Sequence, residues 1–383
     1  MDGPRQIASV PIKHLVAAPR YRLKGKPDQD YKRRQKLTID QIPLPPGGPA
    51  DSLMRLLVSP NIASKESVYR QYDHQVQTNT VLGPGGDAAV LRIKGTGKAI
   101  ALSIDGNSRY CYLDPYRGGQ IAVAEVCRNL SCVGAEPLAL TDCLNFGNPE
   151  RPDVYYQLEW CIRGMAMACR YLGVPVVSGN VSLYNESKGQ AIYPTPVLGG
   201  LGLLEDASRH CQSSFPGDGL SVALLGRGDL RPRKMDLAGS EYLQVVQGLV
   251  AGRPVLDLAL ESRVQDLCRR LIGDGVAASA HDCAEGGLAV ALAESCIQGG
   301  VGFTGISASI GRWDMTMFGE GQSRIVISLA PQQWPKLEEL AARAQVPILN
   351  LGTTGGSHFR WGPRLNLLVT EIAQAWRNGL NPA

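Results

Sequence analysis

Thr141-Asp142-Cys143-Leu144-Asn145-Phe146-Gly147-Asn148-Pro149-Glu150 leads through a helical pattern into Val174-Pro175-Val176-Val177-Ser178-Gly179-Asn180-Val181-Ser182. Between them Tyr155, Leu158, Ile162, Met165, Cys169 and Leu172 recur at spacings of three and four, which lines them along one face of a helix over Val154 to Leu172. Gly173 stops that helix. The apolar run Val174 to Ser178 then reads as a buried strand. A strand-helix-strand succession predicts a layered fold of the α/β kind. Both polar stretches are expected just after strands. There Asp, Asn, Ser and Gly crowd the strand ends, where α/β enzymes hold phosphate and magnesium.

Upstream, Gly118 to Val133 predicts a helix of small residues, and Val90 to Ile93 and Ile100 to Ile104 predict strands. Gly83-Pro84-Gly85-Gly86-Asp87 turns into the first of these. Short helices are expected over Ser52–Leu57 and over Ser64–Tyr69, with Ser64 as a cap. Residues 1–50 read as a lead-in or linker. They carry a basic run from Arg20 to Lys26 and from Lys32 to Lys36, taken as a solvated surface, followed by Pro43, Pro45, Pro46, Gly47, Gly48 and Pro49.

Downstream, Val197 to Leu204 is a further strand, and the pattern breaks across 205–216 at Ser213-Ser214-Phe215-Pro216-Gly217-Asp218. Strands at Leu220–Leu225, Arg324–Leu329 and Ile348–Leu351 then alternate with helices at Glu261–Ile272, Leu288–Gln298, 334–344 and 367–378. Two domains follow, at 51–206 and 215–383, the second an α/β layer.

The 383 residues exceed one ordinary core, which supports two domains, and 44% apolar residues can fill both. A net charge of +4 suits phosphorylated metabolites but is too weak to argue for nucleic acid. Ten Cys lie within a long chain, several of them inside helical patterns, and no CxxC pair occurs. Free thiols in a reducing cytoplasm are expected rather than disulfides or zinc. No apolar run reaches the roughly 18–20 residues of a membrane span.

ATP-dependent activation needs backbone N–H groups around phosphates, oxygen ligands for Mg²⁺ and a group that positions the acceptor. Gly179 lets the chain approach a phosphate without a Cβ. Asn180 offers an amide oxygen suited to a hard cation. Ser182 can contact substrate, and Asp142 can orient nucleotide or Mg²⁺-bound water. Each signal also fits a plain turn. The Gly83–Asp87 turn lacks the Lys-Ser/Thr ending of a Walker A. Asp105 and Asp114 are candidates for metal ligation or for capping. His281 beside Asp282 is a candidate for acid–base work, with a structural role favoured, and the same holds for His74. Tyr110 to Tyr116 reads as a packing or interface surface, with the interface favoured.

Longer strings carry a family resemblance. Ser59 to Glu66, Tyr69 to Gln77, Tyr110 to Tyr116, Thr141 to Glu150, Ser178 to Glu186, Ala280 to Cys296 and Phe318 to Arg324 resemble phosphoribosylformylglycinamidine (FGAM) synthase, in its small-type synthetase subunit PurL. The resemblance covers roughly residues 50–383 and the second of that subunit's two homologous halves. It implies an aminoimidazole-ribonucleotide-synthetase-like pair of domains: an N-terminal mixed-sheet domain that dimerises and a C-terminal α/β layer. It places ATP contacts on Asp142 and Gly179, a Mg²⁺ ligand on Asn180 and a substrate contact on Ser182. First-half catalytic motifs are not found.

Glu320-Gly321-Gln322 departs from the family's Glu-Ser-Gln, at a position belonging to an auxiliary nucleotide site. The implied reaction joins ammonia to formylglycinamide ribonucleotide at the expense of ATP, in the cytoplasm. The implied partners are the first half, the glutaminase subunit PurQ and the small subunit PurS, with a homodimer as another arrangement. The helix over 118–133 and the Tyr110–Tyr116 aromatics are expected at the contact between halves. A non-catalytic nucleotide-binding scaffold and a related small-molecule kinase are the competing readings.

Overall fold

The computed structural model describes residues 3–17, 22–306 and 311–380. Met1, and Arg20 and Tyr21 of the basic run, lie outside the described residues.

The first sheet contains β1 (Thr80–Leu82), β2 (Ala89–Arg92), β3 (Ala99–Asp105), β4 (Glu136–Asn145), β5 (Val176–Ser182) and β8 (Thr195–Leu204). A small ribbon, β6 (Glu186–Ser187) and β7 (Gln190–Ala191), stands beside it. The order is β1-β2-β3-β8-β4-β5. All pairings are antiparallel except β4 with β5, which the Pro152–Leu172 helix joins in parallel as the helical spacing requires. Gly173 ends that helix at φ 72°, a left-handed conformation glycine adopts without a Cβ penalty.

One face of this sheet is covered by the Pro115–Cys132 helix. Asp114 caps its first turn by accepting from the Arg117 N–H at 3.1 Å, so it begins earlier than the expected Gly118. Its small residues serve internal packing. A Cβ on Gly119 would lie 2.3 Å from the Cys161 carbonyl, and one on Gly164 would lie 2.0 Å from the Tyr116 carbonyl. The two helices therefore touch backbone to backbone. This corrects the expected association surface, because the Pro115–Cys132 helix is buried along nearly its whole length. The aromatics from Tyr110 to Tyr116 also pack inside the chain. Tyr110 is buried, Tyr112 stacks on Tyr193 with centroids 4.3 Å apart, and Tyr116 meets the edge of Trp160. The surface left open is the opposite face of the sheet, where Leu102, Ile104 and Leu138 are exposed, Ile104 by 77%.

The second sheet contains β9 (Ser221–Leu225), β10 (Ser279–Asp282), β11 (Phe303–Gly305), β12 (Ile325–Leu329), β13 (Ile348–Thr354), β14 (His358–Trp361) and β15 (Asn366–Leu368), ordered β10-β12-β9-β13-β11-β14-β15. Its central strands β9 and β12 are buried at every residue, hence their largely apolar character, with Ser328 satisfied by Ser279. Only β11 with β14 is parallel, so alternating elements here build a mostly antiparallel α+β layer.

The lead-in is not a free linker. Leu37, Ile42, Leu53, Leu56, Leu57 and Ile62 pack into the second domain's core beside Leu288, Phe318 and Ile372. The Gly48–Leu57 helix therefore packs away from the 51–206 unit that sequence order suggests. The basic run is only partly solvated. Arg34 pairs with Asp28 at 2.5 Å and lies 4.2 Å over the Tyr112 ring.

Candidate functional site

Thr141–Asn145 and Ser178–Ser182 lie within β4 and β5, not in loops after them. This corrects the expectation that both stretches follow strands. The parallel register sets Asp142 opposite Gly179, Cys143 opposite Asn180 and Asn145 opposite Ser182. Residues paired across a ladder share a face, and neighbours along a strand alternate. Asp142 therefore projects on the same side as Gly179, and Asn180 and Ser182 project on the other.

The glycine has a specific reason. A Cβ at position 179 would fall 1.8 Å from Asp142 Oδ1. Only glycine leaves room for that carboxylate. Asp142 has no hydrogen-bond partner among the described residues, and partial burial raises its pKa above the usual value. Asn180 is exposed, and its amide is likewise unpartnered among the described residues. Ser182 is held more firmly: Asn185 Nδ2 donates to the Ser182 carbonyl at 2.9 Å and to the Phe146 carbonyl at 3.0 Å. Ser178 Oγ donates to Thr141 Oγ1 at 2.8 Å.

β5 is the edge of its sheet, so its outer backbone groups face no further strand. The structure thus gathers all four sequence-derived residues on one edge, with Asp142 and Asn180 on opposite faces. A ligand touching both must wrap over that edge. There it would also meet the free backbone N–H groups of β5. The edge can cradle an anion and offer one amide oxygen to a cation. It also carries an exposed thiol, Cys143, and a titratable carboxyl, Asp142.

The other candidates do not join this edge. Asp87 is tied to His281 Nδ1 at 3.0 Å and accepts from the Asp282 N–H at 3.1 Å. His281 Nε2 meets Glu294 at 3.2 Å. Burial opposes charging of His281, but Asp87 and Glu294 flank it and hold its pKa well above the usual value. It is a structural bridge, and its neighbour in sequence, Asp282, turns to Arg128 instead. Asp114 caps a helix and pairs with Arg253 at 2.7 Å. His74 is exposed, with Nδ1 3.3 Å from the Tyr72 carbonyl, in line with its structural reading. Among the described residues no group of three His, Cys, Asp or Glu could hold a metal ion. All ten cysteines are free, as expected.

Sequence reading missed a second polar centre, the seam between the domains. Arg128, fully buried on the Pro115–Cys132 helix, donates to Glu261 at 2.8 Å, Asp282 at 2.8 Å and Gln322 at 2.8 Å. Arg109 pairs with Glu241 at 2.7 Å. Glu320 accepts from the Glu241 and Gly286 N–H groups, each at 2.7 Å, and from the Tyr110 hydroxyl. Burial pushes its carboxyl up to about 7 despite the nearby Arg109. Burial, with Glu285 and Asp282 close by, also raises Asp105 far above the carboxylate range. The residues of the seam are far apart in sequence. Glu125 and Arg128, two charges in the middle of the small-residue helix, are the local signal that could have pointed to it.

Known proteins match this architecture. Residues 85–204 match the AIR synthase related protein N-terminal domain, and residues 217–359 match the corresponding C-terminal domain. The chain belongs to the AIR synthase related family. Within it, the chain is 49% identical over 99% of its length to the phosphoribosylformylglycinamidine synthase subunit PurL of Moorella thermoacetica, covering 52% of that protein. It is 50% identical to the PurL of Thermomicrobium roseum, with the same coverage. The chain thus spans about half the length of the curated relatives it matches, and the expected resemblance to PurL holds. A structure of T. maritima PurL complexed with FGAR overlays with a TM-score of 0.67 at 17% identity, over 85% of this chain and 54% of that one. That likeness shows the shared fold. Among the described residues no helix is long and apolar enough to cross a membrane.

Proposed function

We propose that this chain is the second half of a FGAM synthase of purine biosynthesis, and that the β4–β5 edge is its share of an ATP site completed by another half. The observation that carries this reading is the edge itself. It bears unpartnered Asp142 and Asn180 on its two faces and Gly179 packed against the Asp142 carboxylate, in a chain about half identical to PurL over its whole length.

In the proposed reaction, ATP phosphorylates the amide oxygen of formylglycinamide ribonucleotide. Ammonia from a glutaminase partner then displaces phosphate to give the amidine. Asp142 and Gly179 orient the nucleotide, the β5 N–H groups face its phosphates, and Ser182 meets the substrate. Bound Mg²⁺ would supply charge neutralisation at the phosphates. The residues present fit one Mg²⁺ ligand, the Asn180 amide oxygen, and not a whole coordination shell, since no carboxylate cluster accompanies it among the described residues. The remaining ligands belong to phosphates, water and the other half.

Leu102, Ile104 and Leu138 give the open sheet face an apolar character that soluble monomers seldom leave uncovered. That face is the proposed seat of the first half, or of a second copy when the first half is missing. PurQ and PurS are the further proposed partners, and the cytoplasm the proposed compartment.

Asn180→Ala tests the reading. With the first half present and Mg²⁺ limiting, turnover should fall tenfold or more, since one removed electrostatic group in a site costs on the order of 10²–10³. Excess Mg²⁺ should restore part of it. Stability should stay within about 0.5 kcal/mol, as for other exposed substitutions. Unchanged turnover would remove Asn180 from the site.

A further inference from the structure

From Gly3 to Ala17 every residue is exposed. The stretch is nevertheless apolar. Ile7, Val10, Ile12, Leu15 and Val16 show between 59% and 79% of their surface. Its one helix, Ile12–Val16, buries none of its residues. Soluble chains seldom leave so many neighbouring apolar side chains uncovered.

The second domain shows what such a stretch can do. That domain is closed by the edge strand β15 and the Val369–Asn378 helix that follows it. Leu365, Val369, Ile372 and Ala373 are buried in its core, and Leu367 packs against them. Asn366, Thr370, Glu371 and Gln374 stay exposed. Pro11 and Leu368 each precede their helix with the same backbone, φ −57° and ψ 135° against φ −68° and ψ 136°. With those two residues aligned, Ala8, Val10, Ile12, Leu15 and Val16 fall on Leu365, Leu367, Val369, Ile372 and Ala373. Ser9, Lys13, His14 and Ala17 fall on the four exposed positions. Ile7 alone departs, at the place of the exposed Arg364. The proline also fits. The Val369 N–H donates to the Ser357 carbonyl at 2.9 Å. Antiparallel pairs alternate, so Leu368 opposite His358 is a position without ladder hydrogen bonds, where a missing N–H costs nothing.

Residues 8–16 therefore repeat the pattern of a closing strand and helix. In this chain the place is taken, since β15 covers β14 and Ile372 fills the core. A second copy is closed in the same way. The vacancy belongs to another domain of the same architecture. The relatives have room for one: the PurL of Moorella thermoacetica matches 99% of this chain with 52% of its own length.

We propose that Ala8–Val16 docks on the C-terminal-type domain of the first half, adding an edge strand and a helix as β15 and the Val369–Asn378 helix do here. This rests on the two-half reading given above and adds a contact distinct from the open sheet face.

The test is binding of the full chain to the part of M. thermoacetica PurL that this chain leaves unmatched. The two are co-expressed, and the complex is followed by sedimentation and by amide hydrogen exchange. A complex is expected in which the Ile12–Ala17 amides become protected. Leu15→Asp should weaken it at least about tenfold, the size expected for one buried leucine. Leu15 is exposed in the free chain, so this variant should fold. Lys13→Thr and His14→Glu, on the outer face, should bind as the parent does. Ile104→Asp, on the open sheet face, separates the two contacts. Binding lost in Ile104→Asp but kept in Leu15→Asp would overturn the docking element and leave the two-half reading standing. No complex with the parent chain would overturn both. A dimer of the chain alone that Leu15→Asp breaks would make a second copy the occupant and overturn the first half as partner.

Discussion

Two polar regions of this chain follow opposite rules. In the seam between the domains the polar groups lie out of water, and Arg128 alone reaches Glu261, Asp282 and Gln322. On the β5 edge Asp142 and Asn180 are partly or fully exposed, and neither side chain has a partner among the described residues. Buried charges must be satisfied internally. Unpaired polar groups on an exposed strand edge cost little, and they remain free for a ligand or a second chain. The difference separates polarity that orders the fold from polarity available for binding.

The sharpest break of this contrast is at Arg128. Arg128→Met removes the cation and leaves Glu261 and Asp282 buried without it. Breaking such a pair costs about 3–5 kcal/mol. Chemical denaturation should show that loss, and a change below about 1 kcal/mol would mean that the seam does not order the two domains.

Gly179→Val should act on both binding and packing. Its Cβ would lie 1.8 Å from Asp142 Oδ1 and 2.6 Å from the Asp142 carbonyl oxygen, so the carboxylate must swing away and the strand backbone must give. Nucleotide binding in the reconstituted enzyme should drop at least about tenfold, as for loss of one charged contact, with a stability loss of about 1–3 kcal/mol from overpacking. A large fall in stability with binding intact would make Gly179 a packing glycine only.

The seam also predicts a pH dependence. Glu320 has a folded pKa raised to about 7 by burial, above the ordinary Glu value of about 4.3. The folded state then binds the proton more tightly than the unfolded state. That contribution is fully present below about pH 4 and is lost as pH rises through about 7. Stability should therefore decline between about pH 5 and 7.5, and Asp105, raised in the same direction, should extend the decline upward. Glu320→Gln should flatten the slope. An unchanged slope would show that Glu320 is ionised in the fold throughout. The smallest effect belongs to the exposed pair of Lys98 and Glu205. Lys98→Met should change stability by no more than about 0.5 kcal/mol, and a larger loss would blur the contrast between seam and surface.

Much of this was legible in the sequence. The helical spacing from Tyr155 to Leu172 and the Gly173 stop marked the helix that joins β4 to β5, because periodicity is local. The same local reading placed Gly179-Asn180-Val181-Ser182 one element too late. Polar, glycine-containing strings resemble turns, and only an exposed edge strand tolerates them in a ladder. The family resemblance assigned the small residues of 118–133 to a contact with a partner half. In the fold that partner is the neighbouring helix of the same chain. The seam joins residues as distant as Arg128 and Gln322, and sequence alone could not bring them together. Nor could it show that Leu53 and Leu56 cross to the second core.

The central claim is that the β5 edge is half of a site. The direct measurement is FGAM formation by the purified chain with ATP, Mg²⁺, formylglycinamide ribonucleotide and ammonia, with and without a first-half polypeptide. The account predicts no turnover from the chain alone and turnover once the first half is added. Turnover of roughly 1–10³ per second by the chain alone, the ordinary range for an enzyme, would contradict it.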